Sequence, residues 1–472
     1  MPPTARAASK KKTVKKTTAK KKTTAKKKTM AKKKTAKKKT TAKKATKKAA
    51  TTAKPSADTL TVTLERARAL WCAKQGLGRP APGDGRGHAE LLESTGCLRT
   101  LGGVDVYLAL RARNPSATRA SIDAAVTAGE LRVTPAVRGC IYLAPARHAP
   151  DFMALAAALQ RPRTERDLER VGASWDEVNT LAKLARAALR RSDEPLTTAA
   201  LRAALPKGSL RSLGDVGKRV GMSSLLPVAL RELEFAGQIR RTLAGGRLDT
   251  ERYRWRVTGE RASKRGPSLA QPLAAIVHRC LEWFAPITVK QLAAWIGVPQ
   301  RDIKAALAGM STTPVTIEGY AREAWLLERD RDALKDARPA PRPREFVFLP
   351  FADTTLSIHD GPAAHVDPAH HGVRVKTWGG RGKEETLGSC NHLGHRPLLL
   401  GDRMVGLWEY DPRADEVITR LFAGAPPRGT KRALQEGGER VAGFIRDELE
   451  HACSFSLDTE ARVQARADAL RA

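Results

Sequence analysis

From Leu64 onward the apolar positions recur at helical spacing, as in Leu64, Ala67, Leu70 and Trp71. Residues 118–131 read as a helix opened by Thr118 and closed by Gly129, and residues 140–144 as a short strand. The pattern returns more clearly further on. Residues 196–205 and 223–235 are helical, Gly237 closes the second of these helices, and residues 238–243 and 252–257 alternate as strands about Gly245-Gly246. A third occurrence places helices at 273–284, 288–296 and 301–307 and a hairpin at 315–320 and 324–327. Thr288 to Ala293 followed by Gly297-Val298-Pro299 has the punctuation of a helix-turn-helix. Three units of similar size imply internal repetition of a winged helix, a helix-turn-helix plus β-hairpin.

Beyond an Arg/Pro-rich linker at 336–344 the pattern turns to strands at 346–349, 372–378, 398–400 and 405–410, with a closing helix at about 431–450. The predicted class is α+β: tandem winged-helix units, then a small C-terminal β-barrel-like domain, behind a disordered basic N-terminal tail. The expected boundaries are 1–58 for the tail, 59–160, 161–265 and 266–335 for three winged helices, 336–344 for the linker, and 345–472 for the β domain. A chain of 472 residues, 41% hydrophobic, has room for about three domains with cores.

Charge divides the chain in two. The net charge is +36, and residues 1–54 supply +23 of it through 22 Lys and Arg6 without one acid, leaving +13 for the rest. Lysine doublets and triplets such as Lys20-Lys21-Lys22 and Lys26-Lys27-Lys28, spaced by Thr and Ala, cannot build a core and stay disordered until a polyanion neutralises them. Double-stranded DNA is the expected partner, bound without sequence preference and with steep salt dependence. The tail resembles the Lys/Ala/Thr-rich tails of linker histones and of bacterial histone-like proteins. Six scattered cysteines without a CxxC pair suit a reducing compartment, and no apolar run reaches membrane-spanning length. The expected location is cytoplasmic and nucleoid-associated, with no membrane partner.

The body resembles, from about residue 64 to 457, the bacterial winged-helix DNA-binding family of the AlkZ-like glycosylases. Three stretches carry the likeness. Val137-Arg138-Gly139-Cys140-Ile141-Tyr142-Leu143 is similar to the family's Met-Arg-Gly-Thr-Leu-His-Leu strand, Phe348-Leu349-Pro350-Phe351-Ala352-Asp353 to its Leu-Pro-Pro-Phe-Asp, and residues 398–408 to its late barrel hairpin. The resemblance implies tandem winged helices, a C-terminal β-barrel, and enzymes that excise alkylated bases and unhook interstrand crosslinks. It also implies a Gln-apolar-Gln or Gln-apolar-Asp catalytic triplet, whose place here is Arg99-Thr100-Leu101. Arg99 offers only donors and Leu101 no polar atom, whereas glycosidic cleavage needs an acceptor to activate water. If residues 99–113 continue as one helix, Asp105 lies one turn beyond Leu101 and is the remaining candidate for that task. Otherwise Asp105 is a surface or capping residue.

The expected function is therefore DNA binding by a non-enzymatic winged-helix protein; the alternative is a glycosylase with altered catalytic residues. Candidate DNA contacts are the six tail lysines named above, Arg99, Arg138 and Arg211, Lys218, Arg219, Ser223, Ser224 and Arg231 in or beside a recognition helix, and Arg240, Arg241, Arg247, Arg252, Arg254 and Arg256 on its wing. Alternation puts Arg252, Arg254 and Arg256 on one strand face, opposite Tyr253 and Trp255. The eight tryptophans, Trp378 among them, read as core or hairpin residues. His359, His365, His370, His371, His392 and His395, with Cys390, fit no standard zinc spacing and read as loop residues without metal. There is no phosphate-binding GxxxxGK[ST] loop, GxGxxG or GxSxG, and no cofactor is expected.

Overall fold

Three times along the chain a helix is followed by a two-residue strand, further helices and a hairpin, and each time the short strand pairs with the hairpin's second strand. The computed structural model describes residues 59–77, 87–250, 252–259, 268–351, 353–378 and 383–472. The tail, with Lys20, Lys21, Lys22, Lys26, Lys27 and Lys28, lies outside them. In the first copy the helix His88–Thr95 leads to Leu98–Arg99, the helices Asp105–Arg113 and Arg119–Ala128, and the hairpin Leu131–Pro135 with Ile141–Pro145. In the second, Trp175–Arg190 leads to Leu196–Thr197, three short helices ending with Leu226–Phe235, and Ile239–Leu243 with Tyr253–Val257. In the third, Ala270–Phe284 leads to Ile287–Thr288, the helices Val289–Ile296 and Gln300–Leu307, and Thr312–Ile317 with Ala324–Leu327.

Local chemistry explains the helix limits. Thr118 and Ser121 form a reciprocal capping box and Gly129 closes the helix at φ 86°; Thr288, Gln291 and Gly297 at φ 89° repeat the device. One joining strand comes from far away. Leu60–Val62 pairs parallel with Thr312–Ile317, so the start of the described chain completes the third sheet instead of heading the first unit, where the boundary at 59–160 had put it.

The mixed α+β class holds, and the C-terminal strands Phe346–Phe348, Arg396–Leu400, Arg403–Asp411 and Glu416–Leu421 form an antiparallel sheet in that spatial order. Among the described residues the two edge strands do not pair with each other, so no closed barrel forms of the kind expected. The helix Lys431–Phe444 packs on this sheet, continues as a π-helical turn Ile445–Leu449, and is followed by a further helix, Glu460–Arg471.

Two cores meet around the first copy. One joins its Leu98, Tyr107 and Ile122 to Phe346, Phe348 and Trp408 of the C-terminal sheet; the other joins Trp71 of the helix Leu64–Lys74 to Trp283, Phe284 and Trp295 of the third copy. Each apolar side chain of this size withdrawn from water contributes roughly 1.5–3 kcal/mol. Tyr142 of the first hairpin and Trp295 of the third copy meet edge to face at 6.4 Å, which brings the two copies together beside the C-terminal loops. The second copy packs around its own core, with Val178, Leu226, Leu230 and Trp255.

Candidate active site

A cleft of about 480 Å³ opens where the first hairpin, the helix Val289–Ile296 and the loops of the C-terminal region converge. Its walls carry Arg99, Leu101 and Arg138 from the first copy, Lys290 and Gln291 from the third, and Phe351, Asp353, Asp360, Trp378 and His392 from the C-terminal region. Arg99 and Leu101, which the resemblance sets in the place of catalytic glutamines, therefore both line it.

Arg99 is not on a helix. Leu98–Arg99 is a strand, with Arg99 opposite Tyr142, and the next helix begins only at Asp105. The continuous helix that would have put Asp105 one turn beyond Leu101 is absent. Asp105 is buried, its Oδ2 accepts the Phe351 N–H at 2.9 Å, and its Oδ1 takes Arg396 Nη2 at 3.2 Å. Burial lifts its pKa although Arg396 pulls the other way. With both oxygens engaged, Asp105 ties the first copy to the C-terminal sheet and does not face the main cleft.

Arg138 sits at φ 55°, a conformation uncommon for a non-glycine residue, and Gly297 packs against its side chain so closely that a Cβ there would meet Arg138 Cγ at 2.8 Å. Its charge and that of Arg99 both reach His392, whose pKa is lowered by burial first and by these two arginines next. Burial pushes the Tyr142 hydroxyl up to about 12 while Arg138 opposes the rise. The cleft thus has a cationic corner suited to an anion.

Opposite in character is Trp378, which is 49% exposed and so departs from the expected core role. It stands edge-on to Phe351 at 6.2 Å and to Phe455 at 6.3 Å, leaving ring surface open to the cleft. An exposed ring so placed can stack on a base. The neighbouring Gly379-Gly380 was the one sequence signal that set this tryptophan apart from the others.

The second copy disposes its basic residues unevenly. Arg252, Arg254 and Arg256 are exposed on one face of the hairpin, with Trp255 buried on the other. Arg240 is half-buried on the paired strand opposite Arg256. Other candidates already have acidic partners, buried for Arg241 and Arg247 and at the surface for Arg211 and Lys218. Arg241 pairs with buried Glu234 at 2.7 Å, Arg247 with buried Asp249 at 2.6 Å, Arg211 with Glu177 at 2.9 Å, and Lys218 with Asp215 at 3.0 Å. The helix expected from 223 begins at Leu226, leaving Ser223 exposed and Ser224 buried, where it accepts from Arg202, in the link before it; Arg219 ends the preceding short helix and is exposed. Leu226–Phe235 packs against the helix Ala149–Arg170, and Arg231 donates to Gln160 at 2.9 Å, so one flank of this recognition-helix candidate is covered. The Tyr253 hydroxyl meets Thr100 Oγ1 at 3.3 Å, which sets this hairpin beside the Arg99 strand.

The histidines expected in loops divide as well. His359 and His365 are fully buried, with His359 stacked on Trp71 at 3.8 Å, and His395 is buried too. Burial lowers the pKa of His365 to about 3, so it stays neutral. Among the described residues the side chains that gather with metal-ligand spacing are His451, Cys453 and Glu460, not Cys390, His392 and His395. His451 Nε2 meets Asp249 at 3.1 Å and its Nδ1 accepts the Cys453 N–H, so both ring nitrogens already have partners. No helix among the described residues is long and apolar enough to cross a membrane.

Residues 103–444 match the family model described as DNA glycosylase AlkZ-like, and the chain belongs to that family. The fold is similar to that of the Streptomyces sahachiroi DNA glycosylase AlkZ, with a TM-score of 0.61 at 16% identity over 83% of this chain and 98% of that one. No curated protein matches the sequence. Family membership makes this a DNA-binding repair protein by class.

Proposed function

We propose that the chain is a DNA glycosylase that binds duplex DNA, draws a damaged base out of the stack and excises it within this cleft. The observation that carries the reading is the convergence, in one cavity of nucleoside size, of the family's catalytic positions, the Arg99 and Arg138 corner, and the exposed ring of Trp378. An extruded nucleotide needs a phosphate anchor, a stacking surface and a shaped pocket. Family membership supports excision over the binding-only function expected from the loss of the glutamines. The three repeated units act as winged helices, with the arginine face of the second hairpin against the DNA backbone and the lysine tail adding sequence-independent affinity.

A salt titration tests the DNA side of this arrangement. Arg99→Gln and Arg138→Asn are each expected to lower the slope of log affinity against log salt by about 1, because each removes one phosphate contact. Asn tolerates the left-handed backbone of Arg138. Removing residues 1–54 should flatten the slope much further, by about 0.9 for every phosphate its lysines neutralise. A slope unchanged by all three alterations sinks the proposed interface.

A further inference from the structure

We infer that Asp360 is the carboxylate that activates the attacking water in this cleft, an assignment that rests on the excision reading above. Hydrolysis of a glycosidic bond needs an acceptor for the water proton and gains from negative charge beside a cationic sugar. Arg99 and Leu101 supply neither. Two carboxylates line the cavity among the described residues, Asp353 and Asp360. The side chain of Asp353 is wholly buried and clamped by Arg113 at 2.8 and 3.0 Å. Asp105, close by, spends both oxygens on Arg396 and Phe351.

Asp360 also has a donor on each oxygen, but it is half-exposed where Asp353 and Asp105 are buried. Its side chain is 49% exposed, its Oδ1 lies 3.3 Å from Lys290 Nζ, and its Oδ2 accepts from Gln291 Nε2 at 3.0 Å. A carboxylate has about four acceptor sites, so two donors leave capacity for a water. Gln291 is itself fixed, since its Oε1 accepts the Thr288 N–H at 2.9 Å in the capping box. The backbone holds the carboxylate from the other side. Asp360 lies at φ 64° and Gly361 at φ 87°, where a Cβ would meet the Cys390 carbonyl oxygen at 2.6 Å. A non-glycine residue kept in the left-handed region beside a cavity is a form of strain that clusters at functional sites.

The step balances for a base already cationic through N7-alkylation. Water oxygen bonds to C1′, the C1′–N bond breaks with its electron pair passing to the base, and the base leaves neutral. The water proton passes to Asp360 and then to solvent, so the leaving group needs no general acid.

The full chain is assayed in single turnover on duplex DNA with one N7-methylguanine, scoring abasic sites and duplex affinity together. Asp360→Asn, which keeps the left-handed preference, is expected to slow excision at least 100-fold with affinity within about threefold. Asp360→Gly should likewise be inactive and regain excision when formate is added. Excision by Asp360→Asn within threefold of the parent overturns the assignment and leaves the cleft's function standing; loss without formate rescue reduces Asp360 to a positioning residue and overturns it too. If the parent chain itself excises nothing, both readings fail.

Discussion

Replacing Arg396 with methionine is expected to destabilise the protein by about 3–5 kcal/mol, the cost of orphaning buried charge. Arg396 is wholly buried on the strand Arg396–Leu400, where one amino group donates to Glu409 and the other to Asp105 at 3.2 Å, the Ala452 carbonyl at 2.8 Å and Ser454 Oγ at 2.8 Å. Its guanidinium also lies 5.2 Å from the ring centroid of Trp408. Methionine fills a similar volume, so the loss is electrostatic: Asp105 loses its counter-charge altogether, and Glu409 keeps only Arg466. Denaturant unfolding with a fixed m-value reads the effect directly. Adding Asp105→Leu and Glu409→Leu to Arg396→Met should recover part of the stability, because a buried ionic cluster replaced as a whole by apolar groups costs little. A single variant as stable as the parent contradicts the clasp.

Asp353→Asn is expected to cost a comparable amount, about 3–5 kcal/mol, and to change the acid limb of the stability curve. Arg113 and Asp353 both have fully buried side chains; Arg113 also reaches the Ala109 carbonyl at 3.0 Å, Gln75 at 3.2 Å and Thr355 at 3.2 Å. Asp353 in turn caps the helix Thr354–Ile358 by accepting the Thr355 N–H at 2.9 Å. Burial alone would raise its pKa, but the Arg113 charge and hydrogen bonds hold the carboxyl below the ordinary 3.8. Below about that pH the unfolded chain binds more protons at this site than the native one, so the contribution of Asp353 is present above 3.8 and drains away as the pH falls through its native value. The parent should lose stability steeply below pH 4, and Asp353→Asn should start lower with a shallower acid slope. Parallel acid limbs for the two proteins contradict the pairing. Because Leu356 and Ser357 lie on that helix and Asp360 just beyond its end, this pair also fixes one wall of the cleft.

Where local chemistry decided the structure, it was legible in the sequence. Thr118 and Gly129, Thr288 and Gly297, and the Gly245-Gly246 turn each specify a boundary through backbone conformation or a cap, and the elements between them are present. The alternation at residues 252–257 likewise put its arginines on the solvent face. Long-range pairing was not legible. Nothing in the short run Leu60–Val62 announces a parallel partner about 255 positions away at Val315, and two residues, Leu98 and Arg99, are too few to show strand periodicity. The helix Glu460–Arg471 carries only a narrow apolar stripe, Val463, Ala467 and Leu470, within a polar sequence, and so gives a weak periodic signal.

The candidate site was half visible for the same reason. Arg99, Leu101 and Arg138 were singled out by the family likeness and do line the cleft, whereas Asp360 and Trp378 reach it from segments with no motif of their own, and Gln291 from a helix-turn-helix signal that spoke only of fold. Asp105 drew attention by its spacing from Leu101, yet its true partner, Arg396, is 291 positions away. Ion pairing also removed candidates: counting arginines on a wing cannot show that Glu234 and Asp249 have already claimed Arg241 and Arg247.

The most direct test is to incubate the full chain, in excess, with duplex DNA carrying a single N7-methylguanine and to count abasic sites by alkaline strand cleavage against an undamaged duplex. Abasic sites should accumulate at the damaged position in a first-order course and be absent from the control. Tight binding to the damaged duplex without abasic sites above the spontaneous rate would contradict excision and leave a protein that kept the family's DNA cleft without its chemistry.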